Sequence, residues 1–123
     1  MFDHVIINVD DLAASRAFYE QALAPLGGSV VMEFGDRCAF GFDQRPQFWL
    51  AARAPVATGL HIAFPAESRD AVDAFHRAAL AAGGTDNGAP GPRPQYHQAY
   101  YGAFVLDAHG NNLEAVHHGD IFG

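Results

Sequence analysis

The sequence predicts an α+β fold made of two sequential βαβββ modules. Three observations carry this reading: β-branched apolar runs of strand length, two stretches of helical periodicity that each end in a glycine pair, and an internal repeat of the first strand and helix. One domain over residues 1–123 follows from a length of 123 residues, half of them hydrophobic, enough for one sizeable core. Module 1 spans about residues 2–52, a linker carrying Pro55 spans 53–58, and module 2 spans about 59–118.

In module 1, Phe2 to Val9 (FDHVIINV) is β-branched and apolar and stops at Asp10-Asp11, residues suited to cap a helix. Leu12, Phe18, Tyr19 and Leu23 recur at helical spacing until Pro25 and Gly27-Gly28 end the pattern. Ser29 to Phe34, Cys38 to Phe42 and Phe48 to Ala52 read as three strands, broken at Gly35-Asp36 and at Asp43 to Pro46. Module 2 restarts the pattern with Gly59 to Phe64 (GLHIAF). Ser68 is the expected cap of a helix that reaches Ala82, with Val72, Phe75, Ala79 and Leu80 on its apolar side. Thr85 to Asn87 reads as a short strand. Gly88 to Gln98 (GAPGPRPQYHQ) holds three prolines and is read as a stiff loop at the mouth of a site. Tyr100 to Leu106 and Leu113 to His117 are the last strands, joined by the turn formers of Asp107 to Asn112 (DAHGNN).

Sliding the chain on itself by 57 positions superposes residues 4–27 on 61–84 without a gap, and His4 falls on His61, Phe18 on Phe75, Leu23 on Leu80 and Gly27 on Gly84. Equivalent strand positions of two related modules can face a common axis, so histidines distant in sequence become candidates for one site. Glu114 sits in an otherwise apolar strand, where an ionised carboxylate needs a partner, a proton or a metal. Two imidazoles and one carboxylate suit Zn, Ni, Mn or Fe(II). His4, His61 and Glu114 are therefore the candidate metal ligands. Tyr96, His97, Tyr100 and Tyr101 cluster beside the proline-rich segment. Tyr96, His97 and Tyr101 are the candidate acids or bases; Tyr100, with Asn8 and Trp49, is a candidate for holding substrate. Arg53 and Arg93 are the available guanidinium groups for an anion. His76, His109, His117 and His118 read as solvated.

Composition excludes several alternatives. All seven cations are arginine, so lysine Schiff bases and Walker-type phosphate loops are impossible. A net charge of −7 without a basic run argues against nucleic acid. Cys38 is alone, so no internal disulfide forms, and its apolar neighbours mark it as packed and inert. No stretch has the length of a membrane span or the pattern of a signal peptide, and the expectation is a soluble, cytoplasmic protein.

His4 in the first strand, the DLAASRAFY helix start, Gly59 to Phe64, and above all Asp107, Gly110, Asn111 and Glu114 in AFVLDAHGNNLE together resemble the vicinal oxygen chelate superfamily. That superfamily holds glyoxalase I, extradiol dioxygenases, fosfomycin-resistance transferases and bleomycin-binding proteins. The likeness covers about residues 2–117. It implies a cupped, mostly antiparallel β-sheet, a divalent ion on His4, His61 and Glu114, and a homodimer. It further implies a metal-dependent lyase or dioxygenase acting on a small oxygenated molecule; the alternative is a metal-free drug-binding protein of the bleomycin-resistance type. Glyoxalase I carries a fourth, carboxylate ligand on the fourth strand. Here that strand reads Phe48-Trp49-Leu50-Ala51, which disfavours thiohemiacetal isomerisation unless another group takes that role.

Overall fold

A computed structural model describes residues 2–119; residues 1 and 120–123, the ends of the expected 1–123 span, lie outside the described residues. Eight strands and two α-helices follow in the order β1 (Val5–Val9), α1 (Leu12–Leu23), a short 3-10 turn (Ala24–Leu26), β2 (Ser29–Phe34), β3 (Arg37–Gly41), β4 (Phe48–Ala52), β5 (His61–Pro65), α2 (Arg69–Ala81), β6 (Thr85–Pro92), β7 (Tyr101–Leu106) and β8 (Asn112–His117). The βαβββ pattern thus occurs twice. Each module forms its own four-stranded sheet, ordered β1-β4-β3-β2 and β5-β8-β7-β6. The β1–β4 and β5–β8 pairs are parallel and the other pairs antiparallel. No helix among the described residues is long and apolar enough to cross a membrane.

Local chemistry sets the helix starts. Asp11 caps α1 by accepting the Ala14 amide at 3.1 Å, and Ser68 caps α2 by accepting the Ala71 amide at the same distance. Gly84 follows α2 because nothing larger fits: an added Cβ would lie 2.5 Å from Val105 Cγ1 and 2.9 Å from the Ala79 carbonyl. Strand periodicity then decides the faces. Ile7, Val9, Phe48 and Leu50 of the first sheet, and Phe64, Val105, Leu113 and Ala115 of the second, are buried with Tyr19, Leu23, Val72 and Phe75 of the helices in one continuous core. The Phe64 ring meets the Phe42 and Phe48 rings at 5.9 and 5.5 Å and closes the seam between modules. Cys38 lies in this core, where burial pushes its thiol up against the opposing pull of Arg16.

β1 begins at Val5 and not at Phe2, which leaves His4 ahead of the strand, β5 begins at His61 and not at Gly59, and β3 spans Arg37–Gly41 and not Cys38 to Phe42; the largest difference from the sequence reading is in β6. Gly88 to Pro92 is not loop but the second half of β6, which pairs with β7 at Gly88, Gly91 and Pro92 across two register shifts. Proline removes a donor, yet β6 is the outer strand of its sheet, where one edge needs no ladder partner. The loop proper is the shorter stretch from Arg93 to Tyr100, closed by the Arg93 amide donating to Tyr100 O at 2.8 Å.

Candidate functional site

Because the inner faces of both sheets and both helices share the core, the opposite faces carry the polar chemistry. In the second sheet that outer face is built by the register: Ala63 pairs with Glu114 across β5–β8, and Phe104 with Glu114 across β7–β8. Glu114 is only 2 % exposed although it lies on this helix-free face. Both its oxygens are engaged. His61 Nε2 lies 2.7 Å from Oε1, within hydrogen-bond reach. The Tyr100 hydroxyl donates to Oε2. Burial first, and then the Glu114 hydrogen bond and charge, push the Tyr100 phenol well above the usual tyrosine range, so it stays a donor.

His4 belongs to the other module and, against expectation, to no strand. It precedes β1, whose first ladder contact is the Val5 amide donating to Gln47 O at 2.9 Å, and its Nδ1 pairs with Asp3 at 2.7 Å. It lines a cavity of about 550 Å³ at the module seam, with Phe2, Phe42, Phe48, Ile62 and Phe64 on the walls. His61 and Glu114 do not line that cavity. Among the described residues no group of three or more His, Cys, Asp or Glu stands close enough to hold an ion. The chain therefore brings together two of the three expected ligands, His61 and Glu114, and sets His4 apart.

The repeat explains the place of Trp49. Ile6 pairs with Trp49 as Ala63 pairs with Glu114, so Trp49 occupies in the first sheet the position of the carboxylate in the second. Its Nε1 donates to Pro46 O at 3.2 Å and its ring meets Phe34 edge-on at 5.8 Å, leaving neither a ligand nor a base there. Asn8 shares that outer face and uses its Nδ2 to donate to Pro55 O at 3.0 Å, which fastens the linker.

The aromatic cluster divides. Tyr96 and His97 stand against Tyr100 with ring centroids at 4.9 and 5.2 Å. Tyr101, expected beside them, falls on the helix side because adjacent strand residues point to opposite faces. Its hydroxyl donates to Asp73 Oδ1 at 2.7 Å, beneath the Arg69 guanidinium. Arg93 donates to the Ala89 and Gly91 carbonyls and Arg53 to Asp36, so each guanidinium braces its own module. The histidines expected in solvent are partnered instead: His76 with Asp86, His109 with Asp10, His117 with the Ala66 carbonyl, and His118 with His97 at 2.8 Å. Each partner lies on another element, which is why a scan along the chain misses it.

Sequence reasoning named Asp107 and Asn111 as motif residues without a task. Here Asp107 accepts the Tyr19 hydroxyl at 2.6 Å and Asn111 Nδ2 at 3.0 Å, while Asn111 Oδ1 accepts the Leu60 amide at 3.0 Å. That clamp delivers β5, with His61, alongside β8, with Glu114. Gly102 was missed altogether; a Cβ there would lie 3.2 Å from Tyr100 Cε1 and 3.4 Å from Glu114 Oε2.

Residues 1–115 match the family model of the Glyoxalase/Bleomycin resistance protein/Dioxygenase superfamily. Among solved structures, a glyoxalase/bleomycin resistance protein from Albidiferax ferrireducens T118 is 31% identical with a TM-score of 0.84, covering 97% of this chain and 99% of its own. A glyoxalase/bleomycin resistance protein/dioxygenase family enzyme from Burkholderia phytofirmans PsJN is 22% identical with a TM-score of 0.73, over 95% of this chain and 98% of its own. A glyoxalase I variant from Zea mays is 22% identical with a TM-score of 0.71, over 94% of this chain but 46% of its own. No curated protein sequence matches this one.

Proposed function

The chain belongs to the Glyoxalase/Bleomycin resistance protein/Dioxygenase superfamily, and on that basis we propose that it is a small divalent-metal-dependent enzyme, a glyoxalase-like lyase or a dioxygenase, acting on a small oxygenated molecule. The observation that carries this reading is the His61–Glu114 pair, a buried carboxylate 2.7 Å from an imidazole on a sheet face free of helices. A carboxylate and an imidazole so placed fit a borderline divalent ion, each a donor such ions accept once Nε2 is deprotonated. His4 supplies the third ligand from a second copy of the chain, because within one chain it lies ahead of β1 in the other module. A divalent ion held there supplies Lewis acidity toward the oxygens of a substrate.

The chain's own residues frame that chemistry. Tyr100 keeps Glu114 in place, and Tyr96 and His97 brace Tyr100 and form the loop edge over which a substrate enters. With Trp49 in place of a carboxylate, no side chain on the fourth strand moves a proton at the site, which disfavours thiohemiacetal isomerisation unless another group takes that role. Asn8 and Trp49, on the first module's outer face, line the opposing wall once two copies meet. The separation of His4 from the pair also favours a second reading, a metal-free small-molecule-binding protein of the bleomycin-resistance type.

Elemental analysis of protein purified without added metal separates the two. The wild type is expected to hold about one ion per site, and His61→Ala, Glu114→Gln and His4→Ala each to lose it. Equal and negligible metal in all four proteins overturns the enzyme reading. Oxygen uptake with catechols, run beside a glutathione-hemithioacetal assay, then decides between oxygenation and redox-neutral chemistry.

A further inference from the structure

On sequence, Arg53 and Arg93 are equal candidates for an anion, and the fold separates them. Arg16, Arg37, Arg45 and Arg53 each meet a carboxylate. Arg69 and Arg77 belong to α2, which covers the other face of the second sheet. Arg93 carries its charge onto the helix-free face, where the guanidinium stacks over the Phe104 ring at 5.4 Å. Phe104 is the cross-strand partner of Glu114, and its ring meets the His61 ring at 6.1 Å. Arg93 and His61 thus flank one ring. Arg93 meets no carboxylate among the described residues; it donates to the Ala89, Gly91 and Pro92 carbonyls at 2.7, 2.9 and 3.3 Å. Glycine at 88 and 91 makes room for this, since an added Cβ would lie 3.4 Å from Nη2 and 3.2 Å from Nη1. Neutral carbonyls fix the guanidinium without cancelling its charge. Three contacts use at most three of its five N–H groups, and Nε–H has no partner among the described residues.

We propose that Arg93 is a specificity-determining residue that takes the carboxylate of a small substrate whose other end lies over the His61–Glu114 pair. Naming that pair as the reacting end rests on the function proposed above; the capture of a carboxylate does not. A guanidinium recognises planar oxyanions through paired N–H groups, and one already immobilised loses little freedom in doing so. With two N–H groups left, Arg93 matches the two oxygens of a carboxylate, whereas a phosphate brings a third that it leaves unmet. The net charge of −7 repels anions from the surface at large, so a fixed cation with no counter-ion decides where one settles.

Benzoate and benzamide share a shape and differ in charge, which makes them probes of this contact. In ¹H–¹⁵N NMR titrations of chelator-treated, full-length protein at low ionic strength, benzoate is expected to shift the Arg93 Nε–H signal and the Phe104 and His61 amides. Benzamide is expected to bind at least about tenfold more weakly, the factor a hydrogen bond between charged groups supplies. Equal affinities, or benzoate shifts confined to Arg69 and Arg77, overturn the assignment. Arg93→Met keeps an apolar stem against Phe104 and removes the charge. With the backbone spectrum showing it folded, the variant is expected to lose the preference for benzoate, and a retained preference overturns the assignment. If the variant unfolds, the wild-type comparison decides alone. Benzoate capture at Arg93 in a protein that holds no metal ends the metal reading of the function and keeps the carboxylate anchor. A protein that holds an ion yet shows no preference for benzoate ends the anchor and keeps the function.

Discussion

Asp107 is the residue on which helix α1, the β7–β8 turn and, through Asn111, the linker converge. It accepts the His109 and Asn111 amides as well as Asn111 Nδ2 and the Tyr19 hydroxyl, so both carboxylate oxygens are satisfied at 8 % exposure. Tyr19→Phe keeps the packed ring and removes one hydrogen bond to a charged group. A loss of about 1.5–3 kcal/mol is expected in urea unfolding near neutral pH. The pH dependence is expected to change as well. Burial, then the Asp107 charge and hydrogen bond, hold the Tyr19 phenol far above the usual tyrosine range. A raised folded-state value gives stability that is complete below the unfolded tyrosine value near pH ~10 and declines as pH rises beyond it. The alkaline limb of wild-type stability is therefore expected to be steeper than that of Tyr19→Phe; equal limbs contradict the assignment. The motif at Asp107 and Asn111 is visible in the sequence, but its partner Tyr19 lies 88 residues away and nothing local marks it.

At the scale of elements, the strands and helices follow from patterns short enough to read along the chain. The α1, β2 and β4 limits coincide with the expected ones, because caps, glycine pairs and β-branched runs act within a few residues. β6 extends beyond its expected end because tolerance of proline depends on being an edge strand, a fact of sheet order and not of sequence. Packing between elements is tight where α2 ends. Gly84→Ala places a methyl against Val105 and the Ala79 carbonyl, and is expected to cost about 1–3 kcal/mol by thermal or urea unfolding. A neutral effect there implies that α2 shifts along the sheet more easily than the contacts suggest.

For the whole molecule, the decisive feature is that His4 does not join His61 and Glu114 in one ion-holding group among the described residues. The first module's face leaves Ile6, Met32 and Phe34 exposed at 44, 43 and 57 %. These residues share that face through the register that aligns Ile6 with Trp49, Trp49 with Ala39, Ala39 with Met32, and Phe34 with Arg37. Apolar side chains spread over one open sheet face, from β1 at one edge to β2 at the other, mark a surface that gains from being covered. With the proposed site shared between copies, sedimentation is expected to show a dimer. Ile6→Lys, which puts a charge on that face, is expected to give a folded monomer that retains no metal. A monomeric wild type that holds an ion through His4 contradicts the shared site.

The sequence by itself determined the two-module α+β pattern, the caps and stops of its helices, and the residue types able to hold an ion, since each rests on spacing of two or about four residues. It also placed His4 and His61 at equivalent positions of a repeat. Only the tertiary structure decided that His61 and Glu114 join while His4 stands apart, that Tyr100 serves Glu114, and that Tyr101 turns to α2. Periodicity states which side chains share a face; where that face points is set by which faces the helices bury, and that depends on contacts across the whole chain.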